Sequence, residues 1–133
     1  LGGYMKFETI SANKIEEYIG NKDVIIIDIR EPYEYHRGHI PTAINITYNN
    51  FEMEKRFLPK NKILIIYCER GGSSIILSRE LSEQGYKVKN IYGGIHAYRG
   101  QLESWDLQSN SICDIINKNL KKCEELDCIG WII

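Results

Sequence analysis

The chain has 133 residues, with 17 basic against 18 acidic side chains and a formal charge of -1. That length suits one domain whose core needs neither metal nor disulfide staples, and the balanced charge gives no field to recruit nucleic acid or an anionic membrane. No apolar run approaches the roughly 18 residues that cross a bilayer, the longest being VIII at 24–27 and ILIIY at 63–67.

LGGY, ahead of Met5, reads as an expression scar or a processed end, so the folded part is expected from residue 5 onward. Ser11 precedes ANKIEEYIG, where Ile15, Tyr18 and Ile19 share a helical face and Gly20 closes the segment. VIIID at 24–28 is an unbroken β-branched run, the pattern of a parallel strand covered on both faces. EPYEYHRG at 31–38 places Pro32 at the first helical position and Gly38 just past the end of a short helix. AINI at 43–46 is a short strand, 49–59 has apolar residues at mixed helical spacing, and NKILIIY at 61–67 is a second buried strand.

Ser73 or Ser74 is then expected to cap a helix through IILSRELSEQG, with Ile76, Leu77 and Leu81 on its apolar side and Gly85 at its end. YKVKNIY at 86–92 alternates like a strand, Gly93-Gly94 makes a sharp turn, and IHAYRGQLESW at 95–105 reads as a helix. A further helical pattern runs from Ser109 to Cys128. Strands alternating with helices predict an α/β sandwich around a mainly parallel sheet.

The four cysteines, at 68, 113, 123 and 128, form no CxxC pair and no zinc-type Cys/His spacing. No metal and no cofactor are expected; reduced thiols and a cytoplasmic location are. Cys68 follows ILIIY directly, at the carboxyl end of a strand, where the functional loops of open α/β sheets lie. A strand, a Gly-containing loop and a helix N-terminus let successive amides converge on one point, and the positive end of the helix dipole faces the same point. Such a cradle favours an anion, a thiolate included. Gly71 and Gly72 would permit positive φ and close backbone approach. No neighbouring Ser/His/Asp arrangement offers a base, so activation of Cys68 would be electrostatic. Read from the loop alone, Cys68 is equally a small apolar residue ending a core strand, with GGSS as a turn and cap.

DIREPYEYHRGHIPTAINI, then YCERGGSSIILSRELSEQGY, then NIYGGIHAYRG, in that order, resemble a single-domain rhodanese of the sulfurtransferase family over residues 5–106. The resemblance implies a three-layer α/β sandwich with a central, mainly parallel five-stranded sheet. It implies Cys68 as the catalytic cysteine, with Glu69, Arg70, Gly71, Gly72, Ser73 and Ser74 as the loop that holds sulfur and substrate. Its activity would be transfer of a sulfane sulfur from thiosulfate, or another persulfide donor, to cyanide or a thiol. The implied partners are a small sulfur-containing anion or a protein persulfide. A related phosphatase branch uses a loop one residue longer that ends in Arg; Ser74 occupies that place here, which disfavours phosphate. Ser73 stands where many relatives carry a second basic residue, leaving Arg70 as the only loop cation, while Glu69 would repel thiosulfate unless Arg70 neutralises it. The alternative is a weakly active or inactive rhodanese-like regulatory or binding module.

Asp28 and Arg30 lie close to the same sheet edge: Arg30 either orients the loop or substrate, or pairs with Asp28, Glu31 or Glu34 to pin a turn. His36 and His39 have the spacing of metal ligands, but GHIP resembles a structural turn of the family, and His96 is remote. Tyr98 is expected to fill a packing site with its hydroxyl partnered. Residues 107–133 are read as a helical extension that packs on the domain or forms a homodimer or partner face. One of Cys113, Cys123 and Cys128 could receive sulfur from Cys68 as a resolving thiol.

Overall fold

The computed structural model describes residues 7–104, an α/β domain built on one five-stranded sheet. The strands are β1 (Glu8–Ile10), β2 (Val24–Asp28), β3 (Ile44–Asn45), β4 (Ile63–Tyr67) and β5 (Lys87–Ile91). Their spatial order is β1-β5-β4-β2-β3, and every pairing is parallel. The helices are α1 (Pro32–Arg37), α2 (Phe51–Glu54) and α3 (Gly72–Glu83), with 3-10 segments at Ala12–Glu17, on either side of α2 and after β5.

The β-branched runs behave as their composition predicts. One face of the sheet presents Ile27, Ile29, Leu64, Ile66 and Cys68 to Phe51, Leu77 and Leu81 of α2 and α3. The other presents Ile26, Ile65, Tyr67 and Ile91 to Ile15, Ile40 and Tyr98. Burial on both faces removes alternation and selects Ile and Val, which suit a pleated surface. Glu8–Ile10 is a strand that sequence patterning misses, since three residues carry no readable period. It is edge-paired to β5, with Ile10 opposite Ile91.

Three helical expectations are corrected. ANKIEEYIG is a 3-10 helix over Ala12–Glu17, and the Ser11 side chain makes no capping bond; Ile15 is nonetheless fully buried. Residues 95–104 do not form a helix: a 3-10 turn at Gly94–Ala97 ends at Tyr98, whose backbone is extended (φ -79°, ψ 134°). The chain then runs out to pair Glu103 antiparallel with His39. The Tyr98 hydroxyl, donating to the Gln101 carbonyl at 2.7 Å, closes this loop and supplies the partner its burial requires. Finally, α3 is capped by neither serine: its N-cap is Gly71, in the left-handed region at φ 101°, and Ser73 and Ser74 lie in the first turn. On that helix Leu77 and Leu81 are buried while Ile76 is half-exposed. The expected helix at 109–128, and with it Cys113, Cys123 and Cys128, lies outside the described residues.

Candidate active site

Parallel register builds the site. Asp28, the last residue of β2, pairs with Tyr67, the last of β4, and the Ile29 amide continues the ladder to the Tyr67 carbonyl at 3.0 Å. The chain segments after both strands therefore emerge side by side, bringing Arg30 alongside the loop that begins at Cys68. Because Leu64, Ile66 and Cys68 fall on one face, the Cys68 side chain points toward α3.

Cys68 is buried to 8% exposure, and among the described residues its sulfur has two hydrogen-bond partners. The Gly71 amide donates to Sγ at 3.1 Å. The Cys68 thiol donates to Ser74 Oγ at 3.5 Å, and the Ser74 hydroxyl donates onward to the Gly71 carbonyl at 3.3 Å. Ser74 is fully buried, so it supports the sulfur from beneath instead of facing a ligand. The first intrahelical bond of α3 runs from the Ile75 amide to the Gly71 carbonyl at 3.2 Å. The amides of Gly72, Ser73 and Ser74 precede it and are left without a helical acceptor.

A cleft of about 380 Å³ opens over the sulfur, lined by Ile29, Arg30, Glu31, Glu34, Tyr48, Cys68, Glu69, Arg70, Gly72 and Ser73. Of the loop residues singled out from sequence, Glu69, Arg70, Gly72 and Ser73 face this cleft, whereas Gly71 and Ser74 hold the sulfur from within. Gly71 does need its glycine, with positive φ and Gly93 N only 3.3 Å from where a Cβ would sit. Gly72 does not: a Cβ there would meet open space.

Arg30 joins two roles that sequence reading kept apart. Its guanidinium grips buried Asp28 through Nε at 3.1 Å and Nη2 at 2.7 Å, bonds the Gly38 carbonyl at 2.6 Å, and reaches Glu69 Oε1 at 3.5 Å. Burial works against its charge, but the hydrogen bond and charge of Asp28, with Tyr67 and Glu69 behind them, together raise the Arg30 pKa. Among the described residues, the cation paired with Glu69 is thus Arg30. Arg70, exposed on the cleft wall, makes no ion pair among the described residues. Tyr67 completes the support: its hydroxyl accepts the Ile40 amide at 3.1 Å, and burial first, then the Asp28 charge, pushes its pKa far up.

The Gly93-Gly94 turn has a larger part than sequence assigned to it. The amides of Ile95 and His96 donate to the carbonyls of Cys68 and Glu69 at 2.9 and 3.0 Å, clamping the start of the loop. That approach requires Gly94, at φ 62°, because a Cβ there would lie 2.5 Å from the Glu69 carbonyl oxygen. The only signal in the sequence was the paired glycine itself.

His39 is structural. Its ring stacks on Tyr35 at 3.8 Å between centroids, and Nδ1 lies 2.7 Å from the Tyr35 carbonyl. His36 is half-buried, and burial lowers its pKa. Among the described residues no group of three or more His, Cys, Asp or Glu side chains is placed to hold a metal ion. Nor is any helix among them long and apolar enough to cross a membrane.

A parallel sheet with a cysteine loop running straight from its central strand into a helix N-terminus defines the class, and the chain belongs to it: the profile of the rhodanese-like domain family matches residues 11–101. Its relatives include a tRNA sulfurtransferase of Desulfurococcus amylolyticus, 41% identical over 81 residues, which cover 61% of this chain but 16% of that protein. A putative sulfurtransferase of Bacillus subtilis, YtwF, is 32% identical over 100 residues, covering 74% of this chain and 97% of the relative. The thiosulfate sulfurtransferase GlpE of Coxiella burnetii is 27% identical over 107 residues, covering 80% of this chain and all of the relative. A solved rhodanese-like domain protein of Staphylococcus aureus superposes with a TM-score of 0.65 at 29% identity, covering 73% of this chain and 97% of that one. Sulfur transfer is the general activity that the three relatives from Desulfurococcus, Bacillus and Coxiella share by name.

Proposed function

We infer that this domain is a sulfurtransferase in which Cys68 carries the sulfur as a persulfide, taken from thiosulfate or another persulfide donor and passed to cyanide or a thiol. The observation that carries this reading is the Gly71 amide donating to the Cys68 sulfur at 3.1 Å beneath an open cleft. A structural cysteine at the end of a core strand needs neither.

The Cys68 thiolate attacks the outer sulfur of the donor. A new S–S bond forms as the donor's S–S bond breaks, and sulfite leaves if the donor is thiosulfate, or a thiolate if it is a persulfide. Gly71 N–H holds the inner sulfur. The Ser74 hydroxyl, whose proton rotates freely, turns from the Gly71 carbonyl to the anionic sulfur. The outer sulfur lies toward the first-turn amides of α3, whose free N–H groups and dipole offset its charge. An acceptor thiolate then attacks that outer sulfur and regenerates Cys68.

Intact-protein mass spectrometry after exposure to thiosulfate, and separately to a low-molecular-weight persulfide, tests this. A gain of one sulfur that cyanide removes and that Cys68→Ser abolishes is expected. No gain on Cys68 from either donor would refute it.

A further inference from the structure

We propose that Glu69, held over the Cys68 cleft by Arg30, makes this site select persulfide donors that are neutral or positively charged at the transferring end over inorganic dianions such as thiosulfate. The inference deepens the sulfurtransferase reading and rests on it. Four carboxylates, those of Asp28, Glu31, Glu34 and Glu69, stand at or directly behind the cleft against two guanidinium groups, those of Arg30 and Arg70.

Arg30 cannot serve as an anion receptor. Its charge is already matched by Asp28, which is fully buried, and its remaining reach is taken by the Gly38 carbonyl and Glu69. Glu31 and Glu34 are held in place by a reciprocal capping box at the start of α1: the Glu34 carboxylate accepts the Glu31 amide at 3.1 Å, and the Glu31 side chain accepts the amide of residue 34. Both carboxylates line the cleft wall. Of the two cations that line the cleft, Arg70 is the one that makes no ion pair among the described residues, and three acids, Glu31, Glu34 and Glu69, line the same opening.

A dianion approaching the sulfur therefore meets a net negative wall, against which only Arg70 and the amides at its far end attract it. A thiol-borne persulfide with a nearby ammonium group meets complementary charge instead. The step is balanced in the same way for either donor: Cys68 S⁻ attacks the outer sulfur, the donor's S–S bond breaks, and the bonding pair departs with R–S⁻ from R–S–SH or with sulfite from thiosulfate. Cys68 is left as the persulfide, with no external oxidant or reductant.

The test measures the rate of Cys68 persulfidation in the full chain by intact mass, with thiosulfate and with cysteamine persulfide, whose ammonium cancels the charge of its persulfide. The thiosulfate rate is expected to rise from low to high salt as repulsion is screened, while the cysteamine persulfide rate holds or falls. Glu69→Gln should speed thiosulfate loading by about five- to tenfold and change cysteamine persulfide loading by less than about twofold. A thiosulfate rate that falls with salt, or a Glu69→Gln variant that shifts both donors by the same factor or neither, overturns the inference while leaving the sulfurtransferase reading intact. Should Glu69→Gln fail to fold, the salt dependence of the wild-type chain decides alone. If neither donor loads Cys68, the sulfurtransferase reading itself fails, and this inference with it.

Discussion

The carbonyl of Cys68 accepts the amide of Ile95 at 2.9 Å, so the loop that holds the sulfur is fastened by the turn that follows β5. Only the absence of a side chain at Gly94 lets the two backbones meet. Gly94→Ala adds a Cβ against main-chain atoms at a positive φ, where neither neighbour can give way. It should cost about 2–5 kcal/mol through overpacking and backbone strain together. Urea unfolding should show the loss, and persulfidation of the surviving folded fraction should be slowed. Wild-type stability in the variant would refute the clamp.

Arg30 is expected to be structural first and functional second. Arg30→Ala strands the Asp28 carboxylate, fully buried, without its charge partner, and removal of one member of such a pair costs about 3–5 kcal/mol. Asp28→Asn combined with Arg30→Ala should be less destabilising than the sum of the single changes, as a double-mutant cycle would show. Additivity would mean the two side chains do not act as a unit.

Tyr67 gives the domain an alkaline limit. Its pKa is raised in the folded state, by burial first and by Asp28 next, above the value of about 10 for an unfolded tyrosine. The stability this contributes is fully present below pH about 10 and is lost as pH rises beyond it, by at most about 1.4 kcal/mol per pH unit for one such group. Tyr67→Phe should flatten that alkaline decline. It should also cost about 1–3 kcal/mol at neutral pH, because the Ile40 amide loses its acceptor. Tyr35 and Tyr98, also raised by burial, leave a residual decline in the variant. Unfolding free energies between pH 8 and 11 check the sign.

Ser74→Ala removes the hydroxyl beneath the Cys68 sulfur. One hydrogen bond of ordinary strength, about 1 kcal/mol, sets the expected loss of stability and a fall of about five- to tenfold in the rate of persulfide formation. Ser74→Thr, which keeps the hydroxyl, should restore the rate if its methyl is accommodated. An unchanged rate in the alanine variant would limit Ser74 to packing.

The buried strands were readable because each face of β2 and β4 meets a covered layer, so their sequences became unbroken Ile-rich runs. The cysteine loop was readable because strand, glycine and helix follow one another directly in the chain. Several features were not. β1 is too short to show a period, and the segment after the Gly93-Gly94 turn has apolar residues that imitate a helix while its backbone extends to reach His39. The serine cap failed as an expectation because Gly71 reaches a left-handed conformation that ends the loop two or three residues earlier than a serine cap would.

By itself the sequence determined the parallel sheet, the place of Cys68 at a strand end before a helix, and the kinship with sulfurtransferases, since all three are written in contiguous residues. Only the tertiary structure decided which cation stands beside Glu69. Local reading pairs Glu69 with its neighbour Arg70, whereas the register of Asp28 opposite Tyr67 delivers Arg30, already committed to Asp28, to that position. Charge at the site is thus set by strand pairing across the sheet, which no spacing along the chain records.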